Sequence, residues 1–129
     1  YSTGNTLSNQ RQGNLPSYIK TAHTEDGVLF SFDFVKYDDG TVRVENVDLV
    51  PLWVNMYTSS ATGKVVYDIL PLDPAVEDWK SALDLTNSSL EKAQDSYKRT
   101  MEIVGEGLNT ANAWFTQHQK EWETATGIQ

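Results

Sequence analysis

Two histidines are the side chains of this sequence that could exchange a proton or bind a metal near neutral pH. His23 and His118 lie 95 residues apart, and neither belongs to an HExxH motif or has a matching partner beside it. The chain contains no cysteine, so disulfides, thiolate ligands and cysteine nucleophiles are excluded. The sequence also has no phosphate-binding glycine-rich loop before a helix and no GxSxG motif. These residue types predict no catalytic site and no metal site in the chain.

His23 is the one titratable side chain that we retain as a candidate for ligand binding. It lies in the polar stretch KTAHTEDG at 20–27, and a surface histidine without a role is the alternative. His118 stands between two glutamines of a predicted helix and is most simply a surface side chain. Asp38 and Asp39 lack the DxDxDG spacing of a calcium loop, so we expect them to form a hairpin turn.

The charge balance excludes one class of partner. The 129 residues carry a formal net charge of −8, and their ten lysines and arginines are scattered along the chain. The electrostatic attraction that drives nucleic-acid binding is therefore missing, and we expect no nucleic-acid partner. With 39% hydrophobic residues the chain can bury one core but is too short for two full domains.

The first half of the chain, residues 1–72, has the patterns of β-structure. Val28 to Tyr37 alternates, with three phenylalanines on one face, which predicts the core strand. The turn signal at Asp38–Gly40 predicts an antiparallel hairpin with Thr41 to Val54. The apolar parity of that second strand changes after Asn46, which indicates a β-bulge near this residue.

A proline interrupts the second strand. Pro51 has no amide donor, so we expect it at an edge or at the end of pairing, with Leu52–Val54 as a separate extended segment. Lys64 to Leu70 is a further predicted strand, which Pro71 ends.

The second half, residues 73–129, changes to a helical period and predicts three helices. Asp73 would cap a first helix that ends near Leu85, and the pattern SSLE at 88–91 predicts a capping box for a second. Gly105 and Gly107 should stop the second helix. A third helix would then begin at Asn109 or Thr110. The predicted fold class is therefore α+β, with an antiparallel sheet over about residues 28–70 followed by three α-helices.

The first fourteen residues, YSTGNTLSNQRQGN, contain a single aliphatic side chain amid glycines and carboxamides. This composition favours close backbone approach and polar contacts, and a frayed terminus is the alternative. The sequence opens without an initiator methionine, a signal peptide or a membrane-spanning run, so we expect a fragment or a mature piece.

Five segments add a more specific indication: YSTGN at 1–5, SNQR at 8–11, EDGVL at 25–29, VPLWV at 50–54 and YDILPL at 67–72. In this order and spacing they resemble the C-terminal part of the CapA-type bacterial capsule and poly-γ-glutamate synthesis proteins. That family has a metallophosphatase-like (calcineurin-like phosphoesterase) fold. Its typical strand reads YSLGNF, so Thr3 and Thr6 replace a leucine and an aromatic residue here.

The resemblance implies that the metal-binding residues of the family lie upstream of this chain. The chain itself would hold no cofactor, and a divalent metal would belong to the full-length parent. Gly4 and Asn5 would lie at the strand end nearest to that metal. Asn9, Gln10 and Arg11 would line a cleft rim suited to an anionic or hydroxyl-rich polymer. The location implied is the bacterial cell envelope.

The predicted function is thus the non-catalytic C-terminal portion of a CapA-like protein in capsule or poly-γ-glutamate biosynthesis. Residues 1–72 would be its β part and 73–129 a helical extension. Its partners would be the rest of the parent domain and, through open strand edges, a second copy of the chain. Two alternatives stay open: a stand-alone envelope module that binds a carbohydrate or a peptide, and a purely structural interaction domain.

Overall fold

The computed structural model describes residues 15–18 and 22–126, which form a three-stranded sheet with a long helix packed on its central strand. The elements follow in this order: a short 3-10 turn (His23–Glu25), β1 (Asp26–Lys36), β2 (Val42–Thr58), β3 (Val65–Pro71), α1 (Trp79–Ala82) and α2 (Asn87–Thr126). The strand order is β1-β2-β3, and both pairs are antiparallel. The sheet is therefore antiparallel as predicted, but the predicted three helices are wrong.

The turn between β1 and β2 lies where the sequence predicts it. The Gly40 amide donates to the Tyr37 carbonyl at 2.9 Å, and Gly40 has a φ of 85°, a conformation that favours glycine. The Asp39 carboxylate accepts hydrogen bonds from the Thr41 amide at 2.8 Å and the Thr41 hydroxyl at 2.7 Å. Asp39 therefore stabilises the turn, as expected for an acidic residue at this place.

The predicted β-bulge near Asn46 is confirmed. The register of β1 and β2 shifts between Ser31 and Asp33, so that two residues, Asn46 and Val47, stand opposite Phe32. Asn46 has a φ of 52°, which asparagine tolerates better than most residues, and its side-chain amide donates to Asp33 at 2.7 Å.

The expected break at Pro51 is wrong, because β2 runs through this residue as the central strand. The Pro51 carbonyl accepts from the Leu72 amide at 2.8 Å, so the backbone of Pro51 faces the β3 side. On that side the paired residues begin only at Leu52 and Pro71. The N–H that proline lacks would therefore point to the β3 side, at the place where the pairing of β2 with β3 ends. The pairing of β2 with β1 loses no hydrogen-bond donor.

The hydrophobic core lies between β2, the segment after β3, and the helices. Its buried residues are Trp53, Leu72, Leu85 and Ala93, with Leu70, Trp79, Leu83, Leu90 and Tyr97 packed against them. Trp53 is the largest of these side chains and is only 1% exposed. The helix α2 therefore covers one face of the sheet, which we call the helix face.

The prediction that the phenylalanines of β1 form the core is wrong. Phe30, Phe32 and Phe34 are 44%, 49% and 68% exposed. Phe30 pairs with the buried Leu49, so this row does point to the helix face. However, β1 lies at the edge of the sheet that the described strands form, and α2 packs mainly against β2. Facing the correct side does not bury a side chain when the helix lies over the neighbouring strand.

The second and third predicted helices are one continuous helix. Gly105 and Gly107 lie inside α2, which has 40 residues and is about 60 Å long. Each glycine disfavours a helix by about 1 kcal/mol relative to alanine, and packing along β2 outweighs this small preference. The Thr110 hydroxyl donates to the Glu106 carbonyl at 2.9 Å, one turn earlier, and so does not cap a new helix.

The predicted helix starts also need correction. Asp73 accepts from the Ala75 amide at 2.8 Å and stabilises only a turn, while Asp78 caps the four-residue α1. Thr86, not Ser88, caps α2, because its hydroxyl oxygen accepts from the Ser89 amide at 3.1 Å. Within the described residues, no helix is both long and apolar enough to cross a membrane.

Candidate functional site

Five of the six residues predicted to bind a ligand lie outside the described residues: Gly4, Asn5, Asn9, Gln10 and Arg11. Their predicted position on a cleft rim stays a prediction. The sixth, His23, lies in the 3-10 turn before β1, and its side chain is about half exposed. The surroundings of His23 therefore provide the starting point for a search of the described residues.

His23 lies beside a polar cluster that joins β1 to α2. Its Nδ1 is 3.6 Å from the Asp26 carboxylate, which is 7% exposed at the start of β1. The same carboxylate accepts from the Ser96 hydroxyl at 2.6 Å and from the Arg99 guanidinium at 2.8 and 3.0 Å. We call Asp26, Ser96 and Arg99 the Asp26 cluster. The bidentate pairing of Arg99 with the Asp26 carboxylate is the strong form of an arginine–carboxylate ion pair.

The Asp26 cluster has the residue types of a hydrolase but not their arrangement. A nucleophilic serine must be reached by its substrate and needs a base to accept its proton, whereas Ser96 is fully buried and its partner, the Asp26 carboxylate, is already paired with Arg99. The hydrogen bonds to Asp26 raise the pKa of the Arg99 guanidinium, so its charge is fixed. The cluster therefore acts as a buried connection between sheet and helix.

A metal site is not evident in the part of the chain that the structure describes. That part contains no group of three or more His, Cys, Asp or Glu side chains placed to hold a metal ion. Asp38 and Asp39, which the sequence associates with a turn, indeed form one.

The face of the sheet opposite α2, which we call the outer face, is rich in exposed apolar side chains. Leu29, Met56, Tyr67 and Ile69 are 56%, 46%, 46% and 41% exposed. The strand register places them on one side, because Met56 pairs with Tyr67, and Ile69 pairs with Val54. Val54, which lies on the same face, is only 5% exposed, so the exposed side chains surround a buried centre. Exposed apolar side chains grouped on one face typically mark an interaction site.

The described residues form two clefts beside α2. The first has a volume of about 400 Å³ and lies between the turn at 74–78 and the start of the helix, with Trp79 and Tyr97 in its wall. The Trp79 Nε1 donates to the Asp73 carbonyl at 2.7 Å, and its ring contacts Tyr97 edge-on at 5.3 Å. The aromatic wall is thus held by the core cluster rather than presented as an open platform.

The second cleft, which we call the bulge cleft, has a volume of about 370 Å³. One wall is the bulged stretch of β2 from Val44 to Val47. The other is a row on α2 formed by Asn112, Phe115, Thr116 and Gln119. These four helix positions lie on one face because they are three or four residues apart.

Sequence reasoning missed both the Asp26 cluster and the bulge cleft. Asp26 stands before a glycine, and this pair reads as a turn signal, while its partner Arg99 is 73 residues away. The bulge itself was predictable, but no local pattern indicates that residues near 112–119 come to face it.

An aromatic pair lies near the C-terminal end of the described part of α2. Trp114 is 48% exposed, and its ring stacks on His118 at 3.9 Å. His118 Nδ1 lies 2.9 Å from the Trp114 carbonyl and is partly exposed, so its ring is held against the helix.

Comparisons with known proteins give no relative: no family model, no curated protein and no solved structure matches the chain.

Proposed function

We propose that this chain is the C-terminal, non-catalytic portion of a CapA-type protein of the bacterial cell envelope, acting in capsule or poly-γ-glutamate assembly. The order of five family-like segments within residues 1–72 supports the family. The single structural observation that supports the proposal is the apolar outer face of the sheet. A metallophosphatase-like part of the same protein would cover it and would supply any divalent metal.

The outer face resembles the inner face of a β-sandwich, in which two sheets pack against each other. Side chains alternate along each strand, so the outer rows of β1, β2 and β3 lie side by side on one face of the sheet. Leu29, Met56 and Ile69 would each bury further area when a second apolar sheet packs about 10 Å away. Each square ångström of apolar surface removed from water contributes about 25 cal/mol. A partner sheet is therefore the occupant that this surface fits best.

The first test is the reading frame that precedes Tyr1. The proposal expects it to encode, without interruption, a segment with the metal-binding Asp, Asn and His residues of a metallophosphatase-like fold. A frame that lacks such a segment overturns the proposal.

The second test measures docking with two matched isoleucine variants. Ile69 lies on the outer face and Ile103 on α2, and both are exposed. With the preceding segment supplied as a separate chain, Ile69→Lys should abolish co-purification, because a buried charge disfavours docking, while Ile103→Lys should leave it unchanged. Circular dichroism checks that both variants fold. Equal co-purification of both variants would show that the outer face is not the docking surface.

A further inference from the structure

The helix α2 changes character along its length. In its first half, Leu90, Ala93 and Tyr97 pack against the core under the sheet. In its second half, the row that lines the bulge cleft contains Phe115 and three polar residues. A helix packs closely on a sheet only through a row of apolar side chains. The polar side chains of this row leave a gap between α2 and the sheet, and this gap is the bulge cleft.

We propose that the bulge cleft binds an N-acetylated sugar unit. This inference is independent of the function proposed above, because it concerns the helix face and not the outer face. It assigns a ligand class to a site that no motif of the sequence indicates.

The side chains of the cleft match an acetamido group. The carboxamide of Asn112 can both donate and accept, and an acetamido group offers one donor and one acceptor in return. Phe115 supplies an apolar ring for the methyl group and the sugar C–H face, and its edge-on contact with Trp114 at 5.2 Å fixes its orientation. The Thr116 hydroxyl donates a hydrogen bond to the Asn112 carbonyl at 2.9 Å, so the hydroxyl oxygen of Thr116 can still accept one.

The charges around the cleft disfavour an anionic polymer. Its wall contains no lysine or arginine among the described residues. Among the described residues of the wall, Glu45 is the acidic one, and its carboxylate accepts a hydrogen bond from the Tyr37 hydroxyl. The nearby Arg43 guanidinium lies 4.3 Å from the centre of the Tyr37 ring, stacked on it. A neutral ligand that forms hydrogen bonds fits this wall better than a charged one.

The bulge also disfavours an extended peptide. A peptide added to the edge of a strand needs evenly alternating backbone donors and acceptors. Asn46 and Val47 break this alternation, since both stand opposite one residue of β1. The volume of about 370 Å³ is at the small end of ligand sites, which suits one or two sugar units.

The test is an NMR titration of the full chain with N,N′,N″-triacetylchitotriose as the probe. We expect saturable amide shifts at 44–47 and 112–119, with a dissociation constant near 1 mM. Cellotriose has the same linkage but no acetamido groups, and it should bind about tenfold more weakly because one hydrogen bond is lost. An uncharged alanine tripeptide should produce no shifts at these residues.

Two asparagine variants complete the test. Asn112→Ala should weaken binding of triacetylchitotriose about tenfold, while Asn109→Ala, at a position that is also exposed but lies outside the cleft wall, should change it less than about twofold. The proposal is overturned if the probe gives no saturable shifts up to about 10 mM, if cellotriose or the peptide binds as tightly, or if both variants behave alike.

Discussion

Asp26 begins β1 with an almost fully buried carboxylate, and α2 supplies both of its described hydrogen-bonding neighbours, Ser96 and Arg99. Asp26→Asn keeps the shape of the side chain but removes the charge opposite Arg99, which is itself partly buried. We expect a loss of about 2 to 4 kcal/mol in the free energy of unfolding, because breaking a buried ion pair leaves the other charge uncompensated. Urea denaturation measures this loss.

Glu106→Gln is the control for Asp26→Asn, because Glu106 lies on the exposed surface of α2 outside the Asp26 cluster. An exposed charge of this kind contributes less than about 0.5 kcal/mol. If the two variants lose equal stability, the Asp26 cluster is not the connection between sheet and helix that its geometry indicates.

Tyr37 gives a prediction for the pH dependence. The hydrogen bond to Glu45 raises the pKa of Tyr37, because the hydroxyl can donate only while it is protonated. This interaction stabilises the folded chain at pH values below the ordinary tyrosine pKa of about 10 and is lost as the pH rises through the raised value. Glu45→Gln should bring the pKa of Tyr37 back toward its ordinary value in an NMR titration of the ring. An unchanged titration would show that Glu45 is not the cause.

At the scale of elements, the sequence pattern and the structure assign different N-cap residues to α2. The pattern SSLE favours Ser88 as the cap, whereas the hydrogen bond from the Ser89 amide identifies Thr86. Thr86→Ala should therefore reduce the free energy of unfolding by about 1 kcal/mol, and Ser88→Ala should change it by less than about 0.5 kcal/mol. Thermal or urea denaturation of both variants decides between them. A larger loss for Ser88→Ala would restore the predicted capping box.

Elements that depend on neighbouring residues were predictable, and those that depend on distant packing were not. The turn at Gly40 and the bulge at Asn46 follow from local conformational preference and from the parity of apolar residues. The path of β2 through Pro51 depends on where β3 ends, and the continuity of α2 through Gly105 depends on packing along β2. Both are tertiary effects that outweigh a preference of about 1 kcal/mol or an absent donor.

The same distinction holds for the candidate sites. The Asp26 cluster joins residues 73 positions apart, and the bulge cleft joins 44–47 to 112–119. A single sequence contains no signal for such pairs, because each residue type is ordinary in its own element. His23 was the one site residue that local reasoning could bring near the Asp26 cluster.

At the scale of the whole molecule, the edge of β3 predicts self-association. Among the described strands, β3 pairs only with β2. The backbone N–H and C=O groups of residues 66, 68, 70 and 72 point toward β2, so the backbone amide of Ile69 points away from it. Such an edge can pair with a second copy of the chain. We expect a monomer–dimer equilibrium in analytical ultracentrifugation at about 0.15 M salt, where the net charge of −8 is screened.

Two substitutions at one position distinguish pairing of the strand edges from contact between side chains. Ile69→Pro removes the outward amide without removing a bond to β2, so it should shift the equilibrium toward monomer. Ile69→Ala shortens the same side chain but keeps the amide, and it should still form dimers. If both variants are monomeric, the contact is made by apolar side chains of the outer face. A strictly monomeric wild-type chain at high concentration would contradict the prediction that open edges pair.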